Sequence, residues 1–428
     1  MIKNLERIRK KETYEFLKSV LTLFSGSTVA QIVSITVLII LQRFFYSPEQ
    51  YAPFRLFFEF SALFSSISAL RLESGLVLER EDEYNLSLLR ICVKFCVITS
   101  IIGGCIFSFY FFKEINVFKE EWLIVFLMPL AIFGNGLIQI SQPFFTKAKN
   151  FITISSSKII HSLSGGFAQI ITGMLGFNFT GLIIGRIIGL FSADANYLRN
   201  FLKLYKWPKK NISKEKYLLT KHKKFIQFTT PGIFVGNSIN LVILMSFTHY
   251  YGEAFTGLTA AAIQYLGLII MLFSSSFAQV YYNEIAQIKD PKLLIYSYGY
   301  WIKRLVLISI TGWIILFFTP SSIVIYVLGE KWSGLLYIIK IISPWMGIMF
   351  VTSSLSFIFI RLGRQKEIFF FDIFHLIIVL AGIFIGHHIF NNKIYTLYVI
   401  TGVQSTFYIA SLILAYSFLT KNLKQEKV

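Results

Sequence analysis

Long apolar runs in this chain carry charged residues, and the types of those charges suit recognition of an anion. Glu59, Arg186 and Lys340 each fall inside such a run. An ionisable side chain at mid-bilayer costs about 2.5–3.5 kcal/mol on insertion scales, so an unpartnered one faces a cavity or another helix. Arg186 has no acid three or four residues away, its neighbours there being Leu182, Ile183, Gly189 and Leu190. Its partner must therefore come from another helix or from a ligand. Arginine keeps its charge, and its planar fork can grip two phosphate oxygens at once. Three arrangements are open. Arg186 can line a cavity and pair with Glu59 until a diphosphate displaces the carboxylate, it can lock two helices through a permanent Glu59 pair, or it can snorkel to the surface. The first is the working expectation.

Other residues extend the set. Arg55 and Glu59 are spaced for contact within one helix, and Arg55 lies close enough to the surface to snorkel. Arg71 and Glu73 fall at the inner end of the same run, where Arg71 either receives a pyrophosphate or anchors the helix to lipid phosphates. Lys158 with His161, and Asp372 with His375, are each three apart. Such pairs can carry protons in an ion-coupled cycle, because histidine titrates near neutral pH, or they can hydrogen-bond between helices. Gln31, Asn135, Gln139, Asn237, Asn240, Gln264 and Gln279 offer amides to sugar hydroxyls or to neighbouring helices. No two acids share a face deep in one run, so no carboxylate cage for a cation is evident and the coupling ion stays unassigned. Cys92, Cys96 and Cys105 sit on one helix, which cannot close a tetrahedral metal site, and read as packing residues. No cofactor is expected.

The elements that must position these residues are membrane helices. The chain is 55% hydrophobic and 17% aromatic over 428 residues, with mean hydropathy +0.64 and net charge +19. A crossing needs roughly 20 mostly apolar residues at 1.5 Å each. Twelve are expected, near Val20–Phe45, Phe54–Leu78, Leu88–Phe112, Trp122–Ser141, Ile152–Leu175, Asn178–Leu198, Phe225–His249, Phe255–Tyr281, Trp301–Phe318, Leu335–Ile360, Ile368–His388 and Tyr395–Leu419. About 29 Lys and Arg fall in the tails and alternate loops on one side, against about 4 on the other, which sets both termini in the cytosol. That distribution speaks for anionic lipid headgroups and against nucleic acid. The charged lead Lys3–Lys18 precedes a run too long for a signal peptide, and Ile2, Leu5 and Ile8 suit an interfacial helix. Helical rise places Glu59 and Lys340 about 8 Å and Arg186 about 12 Å below the outer boundary.

The basic stretch Arg199–Lys224 divides the crossings six and six. The expected organisation is a lobe over 1–203, a cytoplasmic linker over 204–224 and a second lobe over 225–428. Similar outer turns follow the first helix of each half, Ser47–Phe54 and Tyr250–Leu258, as in parallel repeats about the membrane normal. Gly181, Gly185 and Gly189 form a small-residue packing face, and Pro231 is the expected hinge.

Four motifs carry a resemblance to known proteins. Leu21-Thr22-Leu23-Phe24-Ser25-Gly26-Ser27-Thr28-Val29-Ala30-Gln31 resembles the first helix of Wzx-type polysaccharide flippases of the MOP superfamily. Leu70-Arg71-Leu72-Glu73-Ser74-Gly75-Leu76-Val77-Leu78 is similar to the motif at the inner end of that family's second helix. Lys224-Phe225 leading to Pro231 and Asn237, and Gln279-Val280-Tyr281-Tyr282, match its seventh and eighth helices. Leu72 and Phe225-Ile226 depart from the usual aromatic and Phe-Pro. The resemblance implies an all-α membrane fold of two six-helix lobes around a central cavity that opens alternately to either side. It implies as cargo a polyprenyl-diphosphate-linked oligosaccharide for O-antigen or capsule, flipped across a bacterial inner membrane. A polysaccharide polymerase is then a candidate partner. The alternative is a cation-coupled multidrug exporter of the related MATE group, which the cationic outer layer disfavours. An enzyme is not expected: there is no Walker or zinc motif, and the outer loop Pro320–Trp332 is too short for a catalytic domain.

Overall fold

Near-continuous apolar sequence leaves the backbone in lipid one economical way to pair its N–H and C=O groups, namely helix. The computed structural model describes residues 26–79, 81–113, 118, 121–207, 210–288 and 290–425, and none of these is in a strand. The basic lead with Ile2, Leu5 and Ile8 lies outside the described residues.

Helix α1 spans Gly26–Phe45, its last five residues forming a π turn. There follow α2 (Pro48–Ser66), α3 (Asp82–Lys113), α4 (Leu123–Lys147), α5 (Phe151–Met174) and α6 (Phe179–Leu204). A short α7 (Ile212–Lys221) leads to α8 (Thr230–Gln287), which bends at Gly252, where φ is 82°. The remaining helices are α9 (Pro291–Phe318), α10 (Ser321–Leu328), α11 (Leu335–Leu355), α12 (Phe357–Arg361), α13 (Gln365–Phe390) and α14 (Lys393–Gln425).

Eight helical stretches are long and apolar enough to cross a membrane, and Gly252 divides one of them, Phe225–Ser274, into two arms. The more polar α2, α5 and α6 complete twelve crossings among the described residues. The second crossing differs from expectation. Instead of running to Leu78, α2 ends at Ser66 and the chain enters a turn and a 3-10 segment, Leu72–Val77. Ser61, Ser65 and Ser66 each turn a hydroxyl back onto a carbonyl three residues earlier, and beyond them Leu70 and Arg71 take positive φ, a backbone that cannot continue the helix.

The described residues form two compact units. One holds those up to Tyr46 together with Pro53–Asn237, and the other holds Ser47–Ala52 and everything from Ser238. The basic segment expected as a linker belongs to the first unit, because Leu218 of α7 is fully buried among Leu76, Leu88, Phe144 and their neighbours. In that unit α5 and α6 pack backbone to backbone: a Cβ on Gly185 would lie 2.6 Å from the Gln169 nitrogen, and one on Gly189 would lie 2.8 Å from the His161 carbonyl oxygen. In the second unit α9, α11 and α14 enclose Tyr298, Leu305, Val351, Leu355 and Ala415. Tyr51 also belongs there, hydrogen-bonded to Gln264 and edge-on to Trp332.

Candidate functional site

The glycine face sets the rotation of α6. With Gly181, Gly185 and Gly189 against α5, Arg186 is directed toward α2 and its guanidinium lies 4.8 Å from the centre of the Phe58 ring. Arg55 lies at the same distance from that ring and donates to the Glu59 carboxylate one helical turn away. The expected Arg186–Glu59 pair is therefore not formed. Glu59 is taken by the closer cation on its own helix, and among the described residues Arg186 has no ion pair. His161 of α5 is near enough to feel the Arg186 charge. The cluster thus holds two guanidiniums, one carboxylate and an imidazole, with a positive charge in excess. Arg186 keeps some accessible surface, whereas Arg55 is buried. A cation held over an aromatic face remains free to take an anion from its other side.

The other outer-layer candidate is held differently. Lys340 of α11 donates to the Thr319 carbonyl oxygen at 3.0 Å, capping the negative end of α9. Lys158 donates to Ser27 at 2.9 Å, and the adjacent Ser34–Ser162 hydrogen bond also joins α1 to α5. Among the described residues His161 has its Nε2 buried without a hydrogen-bond partner, as has the Gln31 side-chain oxygen. Neither three-residue pair forms an ion pair among the described residues. His375 instead gives its Nε2 proton to the Gln404 carbonyl oxygen at 2.7 Å and stacks on Phe407. Asp372 and Asn240 are half-buried, and Asn237 is exposed.

At the end of the unit that carries α7, Arg71 and Glu73 do not continue α2. Leu70 and Arg71 have φ of 52° and 59°, the left-handed region where the Cβ of any L-residue crowds the backbone. Arg71 pairs with Glu73 at 3.2 Å. Beside them α4 presents a polar edge, on which Asn135 and Gln139 both donate to Ser65.

Sequence reasoning missed the α7 dock. Glu79 accepts from Lys221 at 2.9 Å and meets His222 Nε2 at 2.6 Å, and the imidazole lies against Gly75, where a Cβ would approach it to 3.1 Å. Arg90–Glu215 and Lys214–Glu83 pairs complete the contact. Burial alone would raise the Glu79 pKa, but the hydrogen bonds from Lys221 and His222 outweigh it and hold the carboxyl below its ordinary value. A signal was present: Asn211 caps α7 by accepting from the Lys214 amide, three residues on.

Residues 40–336 match a family described as polysaccharide biosynthesis protein. Several solved structures share the fold. The lipid II flippase MurJ, in an inward closed conformation, aligns with TM-score 0.66 and 16% identity over 94% of this chain and 87% of that one. A MOP superfamily transporter from Pyrococcus furiosus gives 0.64 and 13% over 94% and 96%. An inward-facing multidrug resistance MATE family transporter gives 0.60 and 15% over 95% and 96%. No curated protein matches by sequence. At such identities the likeness is one of fold alone, the all-helical membrane fold these solved structures share.

Proposed function

Since the chain belongs to the polysaccharide biosynthesis protein family, we propose that it flips a polyprenyl-diphosphate-linked oligosaccharide across the cytoplasmic membrane by alternating access. The product would feed O-antigen or capsule assembly, where a polymerase could take the exposed head. One observation carries the reading: Arg186 is a cation inside the first unit that no carboxylate among the described residues neutralises, and it shares the Phe58 ring with Arg55. A diphosphate supplies the missing negative charge, and the guanidinium fork can grip two of its oxygens. Glu59 keeps Arg55 partly neutralised, which lets the anion leave as well as bind. The polyprenyl tail stays in lipid throughout.

The test is reconstitution into vesicles holding a fluorescent polyprenyl-diphosphate oligosaccharide, with an impermeant reagent that destroys the outer-leaflet label. Protein should extend the destroyed fraction from about half toward the whole. A fraction equal to that of protein-free vesicles would refute flipping.

A further inference from the structure

A second site lies in the same unit, where the turn after α2 meets α4. A cavity of about 390 Å³ opens there, within the range of small-molecule sites. Arg71, Glu73 and Ser74 line it from the turn, and Gln139, Gln142 and Thr146 line it from α4. Its charges cancel, because Arg71 and Glu73 are paired. Yet that pairing is incomplete: Arg71 Nε and Glu73 Oε2 are both buried without a hydrogen-bond partner among the described residues. Glu73 is only 4% exposed. An unused donor therefore sits beside an unused acceptor, in the segment where two consecutive non-glycine residues take left-handed backbone. Strain and unsatisfied polar atoms coinciding in one place point to a functional constraint.

The expected role of Arg71 as receiver of a pyrophosphate does not suit this geometry. A diphosphate only accepts hydrogen bonds, and the Glu73 carboxylate would repel it. A sugar hydroxyl both donates and accepts, so adjacent hydroxyls can satisfy Glu73 and Arg71 together while the glutamine amides bind their neighbours. We propose that this cavity binds an uncharged sugar residue of the cargo head, apart from the guanidinium cluster that takes the diphosphate. The proposal rests on the flippase reading for its cargo and deepens it by assigning the sugar a site of its own.

The experiment is saturation-transfer NMR on the purified full chain with methyl glycosides of glucose, galactose, N-acetylglucosamine and rhamnose, alongside phosphorus line widths of inorganic pyrophosphate. At least one glycoside should receive saturation. Its affinity should fall about tenfold or more in Glu73→Gln and in Gln142→Leu, the latter changing a half-buried side chain outside the ion pair. Absence of transfer from every glycoside overturns the proposal, as does transfer that survives both variants. So does pyrophosphate broadening that Gln142→Leu or Arg71→Gln abolishes. Vesicle flipping that persists without glycoside binding defeats this site alone, whereas glycoside binding without flipping defeats the transport reading alone.

Discussion

Replacing Arg186 separates transport from stability. A hydrogen bond to a charged group is worth about 1.5–3 kcal/mol, so Arg186→Ala should lower the flipping rate at limiting cargo by about 10- to 150-fold. Arg186→Lys keeps the charge but loses the fork and the planar contact with Phe58, and a fall of about 5- to 30-fold follows. Stability should respond in the opposite sense. Breaking a buried ion pair costs about 3–5 kcal/mol because the abandoned charge stays buried. Here Glu59 is held by Arg55, so removing Arg186 abandons no carboxylate. It also removes a like charge from the Phe58 ring that Arg55 shares. Arg186→Ala protein should therefore melt at or above the parent temperature. The assay is vesicle flipping at limiting cargo beside thermal unfolding of the same preparation. Reduced flipping accompanied by a lower melting temperature, or unchanged flipping at any stability, would refute the reasoning.

Three further perturbations follow from named contacts. Glu79→Gln should loosen α7 by about 2 kcal/mol, read as roughly 30-fold faster amide exchange over 212–222. Because the Glu79 pKa is lowered on folding, its stabilisation is present above the ordinary carboxylate value of about 4.3 and is lost as pH falls through the lower folded value. Protection of α7 should thus persist from pH 7 to 5, and its loss near pH 6 would contradict the assignment. Gly189→Ala puts a methyl 2.8 Å from the His161 carbonyl oxygen and should destabilise by about 1–3 kcal/mol, visible as a lowered Tm. Asp194 is buried, with both carboxylate oxygens lacking partners among the described residues, beside a 390 Å³ cavity lined by Leu89, Phe133 and Phe144. Asp194→Leu should raise Tm, by an amount corresponding to about 1–3 kcal/mol.

The crossings were legible because hydropathy and basic-residue alternation both report on the bilayer. The three helices too polar to stand out by composition, α2, α5 and α6, are those that carry Arg55, Glu59, His161 and Arg186. Polarity in such a helix is thus the signal for the site. What the sequence concealed is rotation and termination. Which face of α6 meets α2 depends on how its glycines seat against α5, so the partner of Glu59 could not be chosen by depth. The end of α2 at Ser66 was hidden because hydrophobicity continues through Leu70, Leu72 and Leu76, while the left-handed backbone at Leu70 and Arg71 has no glycine to announce it. Lys340 likewise shares the charge type of an anion ligand, yet a neighbouring helix end consumes it.

The most direct measurement is depletion of the protein in its host, with lipid-linked oligosaccharide assayed by leaflet and surface glycan assayed in parallel. The lipid-linked intermediate should accumulate on the cytosolic leaflet while surface glycan is lost. Normal surface glycan together with new sensitivity to cationic drugs would contradict flipping and favour an exporter.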